Sequence, residues 1–231
     1  MVTTVLFDLD DTLYDEIDYC RSGFTAAAEF LAALPQMPSA GRIFEVFWQQ
    51  FTAGNRTKTF NTALEELGIT SAGADSDKLI TDLIEVYRNH VPKITLPADS
   101  KEILDQLTGN YTLALITDGF LPAQKLKVQA LGIEKYFKCI IYTEALGREF
   151  WKPSPAGFQE LMQILNTEPK NIVYLADNEK KDFIAPNKLG FLTVQLIRPA
   201  RIHTQSSPEP GASAQYVIHD ITRLPLLLDK F

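Results

Sequence analysis

"VTTVLFDLDDTLYDE" spans residues 2–16, and its acids Asp8, Asp10, Asp11, Asp15 and Glu16 crowd directly behind an apolar run. Carboxylates this close repel one another, and the repulsion raises the proton affinity of each. The trio Asp8, Asp10 and Asp11 therefore calls for a compensating cation. The run ahead of it, Val5-Leu6-Phe7, is short, apolar and β-prone, so it reads as a strand that ends where the acids begin. Side chains alternate along an extended chain, which puts residues 8 and 10 on one side and Asp11 on the other.

Four later runs share the character of the first: "TLALIT" (112–117), "CIIYT" (139–143), "NIVYLA" (171–176) and "FLTVQLI" (191–197). They are continuously apolar rather than alternating, as parallel strands covered on both faces are. Helical segments fall between them. Residues 99–107 follow Asp99 as a candidate N-cap, with Glu102 three residues on and Gly109 past the end. Residues 121–131 are closed by Gly132, and Ser154-Pro155 opens 154–165. Pro186 shortens or kinks 180–190. This alternation predicts an α/β fold, a doubly wound parallel sheet.

Residues 14 to about 91 break the pattern and hold no good strand. Segments 17–34, 42–51, 62–68 and 77–90 all have helical spacing, the last through Leu79, Ile80, Leu83, Ile84 and Tyr87. Phe44, Phe47, Trp48 and Phe51 recur at the same spacing and read as core. The expected organisation is an all-helical domain (14–92) inserted after the first strand of an α/β domain made of 1–13 and 93–231. Residues 91–99, with Pro92 and Pro97, form the return linker, and 198–214 is a polar loop.

The chain of 231 residues is 45% hydrophobic and 22% charged, the balance of an ordinary globular protein. Its net charge of −7 and lack of a Lys/Arg-dense stretch exclude an extended nucleic-acid surface. No run is long enough to span a bilayer, and the few residues ahead of Asp8 do not form a signal peptide. Cys20 and Cys139 have no companion spacing and read as reduced thiols. The expectation is a cytoplasmic monomer or homodimer. An anionic partner would need local cations to overcome the unfavourable overall field.

Ligands of open α/β sheets sit at the carboxyl ends of the strands. Asp8, Asp10, Asp11 and Thr12 follow the first strand here, and Thr117 and Asp118 end the second. Lys152 follows the third, and Asp177 and Asp182 follow the fourth. Carboxylates suit Mg²⁺, while a lysine and a hydroxyl suit a phosphoryl group.

This ordered set resembles the haloacid dehalogenase (HAD) superfamily, in the branch with a helical cap after the first strand. Asp8-Leu9-Asp10-Asp11-Thr12 matches its DxDxT motif, Thr117 its second motif, Lys152-Pro153 its third, and Asp177 with Asp182 its paired acids. Asp118 stands where Asn is common, and Ala176 where Gly is. The resemblance implies a Rossmann-like core and a Mg²⁺-dependent phosphatase acting on a small phosphomonoester, a sugar phosphate or nucleoside monophosphate. Asp8 would be the nucleophile that becomes an aspartyl phosphate, and Asp10 the acid and base. Asp8, the Asp10 carbonyl and Asp177 would hold Mg²⁺, supported by Asp182. Thr117, the backbone at Asp118, and Lys152 would bind the phosphoryl group. Arg56 and Lys58, between two helices of the cap, and Tyr14, Glu16 and Tyr19, where core runs into cap, are candidates for substrate selection or the entrance. A phosphomutase on the same scaffold is the alternative, and a non-catalytic phosphate-binding protein a further one. A dehalogenase is disfavoured by Asp10, since a departing halide needs no proton. A signalling receiver module is disfavoured by motif order, insert and length.

Overall fold

Four of the five apolar runs are almost wholly buried, as strands shielded on both faces are, and the third is only half-buried. In the computed structural model, which describes residues 1–69 and 74–231, they are β1 (Thr4–Phe7), β2 (Thr112–Thr117), β3 (Cys139–Tyr142), β4 (Ile172–Ala176) and β5 (Leu192–Leu196). Every residue of β1 and β4 is buried. A sixth strand, β6 (Tyr216–Ile218), is short and mostly exposed at the sheet edge. It lacks the buried apolar run that marks the others, so the sequence pattern does not announce it.

The helices are α1 (Glu16–Ala32), α2 (Ala40–Thr52), α3 (Thr59–Glu66), α4 (Ala74–Asn89), α5 (Ala98–Leu107), α6 (Ala123–Leu131), α7 (Ala156–Leu165), α8 (Ile184–Leu189) and α9 (Leu224–Leu228). Gly132 closes α6 at φ 64°, a left-handed conformation that glycine adopts without a Cβ clash. Pro186 lies inside α8, which runs for only 6 residues. Asp99 is not the cap of α5. That helix begins at Ala98, Asp99 sits in its first turn, and its Oδ2 pairs with Arg198 Nη1 at 3.3 Å. The linker therefore ends at Pro97.

All six strands are parallel, in the order β3-β2-β1-β4-β5-β6. The chain moves outward from β1 through β2 to β3, then returns to place β4 on the other side of β1. That reversal opens a crevice at the carboxyl ends of β1 and β4. One core cluster joins Leu6, Ile116, Ile141 and Tyr174 of the sheet to Phe158 and Leu161 of α7. Phe158 meets Tyr174 edge-on at 5.3 Å and Phe191 at 5.9 Å. Aromatic pairs of this geometry add about 0.5–1.5 kcal/mol beyond their burial.

The chain divides into two compact units, Met1–Ile17 with Thr95–Phe231, and Asp18–Ile94. Among the described residues the second unit is helical, and Phe24 is its aromatic hub, 5.3 Å from Phe51, 5.8 Å from Phe60 and 5.1 Å from Tyr87. Phe47 and Phe51 are buried as expected, whereas Phe44 and Trp48 are only half-buried and stack on each other. No described helix is long and apolar enough to cross a membrane. Cys20 is buried and Cys139 half-buried.

Candidate active site

Register brings the acids together. Phe7 pairs with Leu115 of β2 on one side and Leu175 of β4 on the other. Asp8, the Thr117-Asp118 corner and Asp177 therefore emerge at the same edge of the sheet. The Asp8 amide still belongs to the ladder and donates to the Leu175 carbonyl at 2.9 Å, which fixes the backbone behind the carboxylate.

Lys152 is the hub of a buried charge cluster. Its Nζ donates to Asp8 Oδ1 at 2.6 Å, lies 2.7 Å from Asp182 Oδ1, and donates to the Tyr174 hydroxyl at 3.1 Å. An ammonium has three hydrogens, so all are engaged. Burial would depress the lysine, but Asp182 and Asp8 hold it well above its usual range. Burial pushes Asp8 up to about 6, with Lys152 opposing and Asp182 adding to the rise. Asp182 is itself locked, since its Oδ2 accepts from the Asn178 amide at 2.9 Å.

One carboxylate oxygen each from Asp8, Asp177 and Asp182 lies within 4.8 Å of the others, and all three residues are buried. Asp177 Oδ2 is buried with no hydrogen-bond partner among the described residues. Burial, then the Asp182 and Asp8 charges, push Asp177 up to about 10. Three hard oxygens around one orphaned lone pair fit a divalent cation that prefers oxygen ligands. Asp182 thus joins Asp8 and Asp177 in the acid group, while the Asp10 side chain does not.

The Asp10 carboxylate instead enters a separate network. Lys127 Nζ donates to Oδ1 at 2.7 Å, Gln124 Nε2 donates to Oδ2 at 2.8 Å, and the Tyr14 hydroxyl also donates to Oδ1. Burial would raise Asp10, but Lys127 and these three hydrogen bonds leave it below its usual value. Gln124 also donates to Thr117 Oγ1 at 2.6 Å, so one amide couples Asp10 to the hydroxyl of the second motif. Gly119 makes room for it. Its φ is 137°, and a Cβ there would lie 2.9 Å from the Gln124 side-chain carbon. Gly119→Ala is accordingly expected to displace Gln124 and lower kcat about tenfold with less change in KM. Steady-state kinetics of the variant check this, and an unaltered kcat would contradict it.

The other sequence candidates fall into three groups. The Asp118 carboxylate is fully engaged, accepting from Thr143 Oγ1 at 2.8 Å, the Lys152 amide at 3.2 Å and Lys181 Nζ at 3.1 Å. Asp11 is structural. It holds φ 55° and accepts from the Glu16 and Ile202 amides at 2.9 and 2.6 Å. Thr12 Oγ1 donates to Asp8 Oδ2 at 3.3 Å. Tyr14 is buried, and its hydroxyl donates to Asp10 Oδ1. Burial, then Asp10, pushes Glu16 up to about 8. Tyr19 lies within the helical unit, where its hydroxyl donates to the Tyr87 carbonyl. Arg56 and Lys58 belong to that unit too. Both are exposed, the Arg56 guanidinium 5.8 Å over the Phe51 ring.

Gln124, Lys127, Tyr174 and Lys181 escaped the sequence reading. The first two carried a signal. Positions 124, 127, 128 and 131 share the buried face of α6, and an interior-facing Gln and Lys among apolar neighbours demand polar partners. Tyr174 likewise places a hydroxyl in an otherwise apolar strand, whereas Lys181 looks like a surface lysine.

Several known proteins resemble this chain over most of its length. A family model described as haloacid dehalogenase-like hydrolase matches residues 2–190. The N-acylneuraminate-9-phosphatase of Mus musculus is 26% identical, covering 99% of this chain and 94% of its own. A glyceraldehyde 3-phosphate phosphatase of Methanopyrus kandleri is 27% identical, covering 86% and 85% respectively. Among solved structures, the HAD-hydrolase YfnB of Bacillus subtilis, bound to magnesium, superposes with a TM-score of 0.68 at 20% identity over 99% of both chains.

Proposed function

The chain belongs to the haloacid dehalogenase-like hydrolases, and within that family we propose that it is a Mg²⁺-dependent phosphatase that hydrolyses a small phosphomonoester through a phosphorylated Asp8. The observation that carries this reading is the separation of a buried acid, Asp8, and a partly buried one, Asp10, into different electrostatic settings. Asp8 sits against Lys152 with its pKa at about 6, so at neutral pH it is an ionised nucleophile held in one orientation. Asp10 sits on Lys127, Gln124 and Tyr14, held for proton transfer. Relatives named N-acylneuraminate-9-phosphatase and glyceraldehyde 3-phosphate phosphatase support a small phosphorylated metabolite as substrate.

Asp8 attacks phosphorus and the ester oxygen leaves. A dianionic phosphoryl group arriving near Asp10 raises its proton affinity, which lets it carry the proton that the leaving alkoxide takes. Once the alcohol departs, Asp10 is again a base, and it accepts a proton from the water that attacks the aspartyl phosphate. The Thr117 hydroxyl, its oxygen already accepting from Gln124, turns its proton toward the phosphoryl oxygens, and backbone N–H groups after Asp8 and Thr117 assist. Lys152, with its hydrogens on Asp8, Asp182 and Tyr174, chiefly orients the nucleophile. Asp8, Asp177 and Asp182, with the Asp10 carbonyl, would hold Mg²⁺, whose charge offsets that of nucleophile and substrate. A carbon–halogen displacement would have no use for the Asp10 network.

The test is a panel of sugar phosphates, nucleoside monophosphates and small phospho-acids assayed with Mg²⁺ or EDTA. Inorganic phosphate should be released from at least one substrate with Mg²⁺ and without a bisphosphate activator, and EDTA should stop it. Turnover that survives EDTA, or none across the panel, would contradict the proposal.

Metal removal has a pH signature. In metal-free protein Asp8 and Asp177 keep protons up to about pH 6 and about pH 10, whereas unfolded aspartates release them near pH 4. The folded state then binds more protons, so metal-free stability falls as pH rises through this window. A cation that displaces those protons reverses the trend. The Tm gain from Mg²⁺ is therefore expected to be larger at about pH 8 than at about pH 6. Thermal melts with Mg²⁺ or EDTA at the two pH values check this, and equal gains would count against it.

A further inference from the structure

Asp118 places a fixed negative charge beside the site an anion must enter. It follows Thr117 directly and is 9% exposed, so water cannot screen it well. Its Oδ1 accepts from Thr143 Oγ1 and the Lys152 amide, and its Oδ2 from Lys181 Nζ. The first two donors are neutral, and an asparagine carbonyl would serve them equally. Of these three donors only Lys181 is a cation, and the Lys152 ammonium adds to its effect through space. Lys181 adjoins Asp182 in the loop after β4, and its side chain is 32% exposed against 4% for Asp118. Burial would raise Asp118, but Lys152 and Lys181 keep it below its usual value, so it stays charged.

We propose that Asp118 and Lys181 are a matched ion pair that sets the charge of the phosphoryl subsite. Lys181 is a positioning residue bonded to Asp118: it offsets the carboxylate an incoming phosphate would otherwise face, adds a smaller favourable field at Asp8 and Asp177, and ties the loop carrying Asp177 and Asp182 to the end of β2. The inference rests on the phosphatase reading and deepens it, because it names what tunes affinity for the phosphoryl group. Neither residue carries this role alone. Removing the lysine exposes a repulsive charge, and removing both charges restores near-neutrality.

The experiment is a double-mutant cycle on the full chain with Mg²⁺. Calorimetry reads the binding of inorganic phosphate, steady-state kinetics read KM and kcat for p-nitrophenyl phosphate, and circular dichroism separates lost fold from lost affinity. Lys181→Met is expected to weaken phosphate binding about tenfold to a hundredfold, the effect of one uncompensated charge at short range, with KM rising more than kcat falls. Asp118→Asn alone should bind phosphate more tightly than wild type. The double variant should return to within about threefold of wild type, and Lys181→Arg should keep its affinity. A double variant as weak as Lys181→Met, or a Lys181→Met with unchanged affinity, would overturn the pairing. A wild-type chain that neither binds phosphate nor hydrolyses a phosphomonoester would overturn the phosphatase reading itself, a result visible before any substitution is made.

Discussion

Asp8→Asn is expected to lower kcat by about ten-thousandfold or more while leaving the fold intact, because it removes the attacking oxygen's charge rather than a transition-state contact. The amide that replaces the carboxylate is nearly the same size, and Lys152 keeps Asp182 and Tyr174 as partners. The substitution also removes one of three mutually repelling acids. The metal-free variant should therefore be at least as stable as metal-free wild type near neutral pH. Kinetics on a responsive substrate and thermal melts in EDTA check both halves. Retained turnover, or a variant much less stable than wild type, would mean that Asp8 is a structural acid.

Lys152→Met is expected to cost about 3–5 kcal/mol of stability, the usual penalty for removing one partner of a buried ion pair. The Lys152 side chain is fully buried, as is that of Asp182, and Asp8 is nearly so. Taking the cation away leaves two carboxylates without their bonded counter-charge. Activity should fall by about a thousandfold, because Asp8 would then favour its protonated, non-nucleophilic form. Adding Asp8→Asn should recover part of the lost stability, since one uncompensated charge disappears. Urea denaturation with and without the second change reads this coupling. Additive losses would contradict a shared network.

Much of this was legible in the residues, for identifiable reasons. β1, β2, β4 and β5 are buried on both faces, so their apolar runs are continuous and their ends unambiguous. Chemistry placed at strand ends inherits that clarity, as Asp8, Thr117 and Asp177 do. β6 is a three-residue edge strand facing solvent, where burial leaves no pattern to read. The Asp99 cap failed because Pro97 and Ala98 already begin the helix, and because Asp99 answers to Arg198, far along the chain. The partners of the site acids were harder still. Lys127 and Lys181 acquire meaning only when α6 and the loop after β4 fold against acids more than sixty positions away.

Rapid acid quench of a reaction with p-nitrophenyl phosphate, followed by peptide mass spectrometry, tests the central claim most directly. The expected result is the mass of one phosphoryl group on the peptide containing Asp8, formed with Mg²⁺, absent with EDTA, and absent from Asp8→Asn. Active protein that never carries the group at any quench time, or that carries it on another residue, would contradict the account.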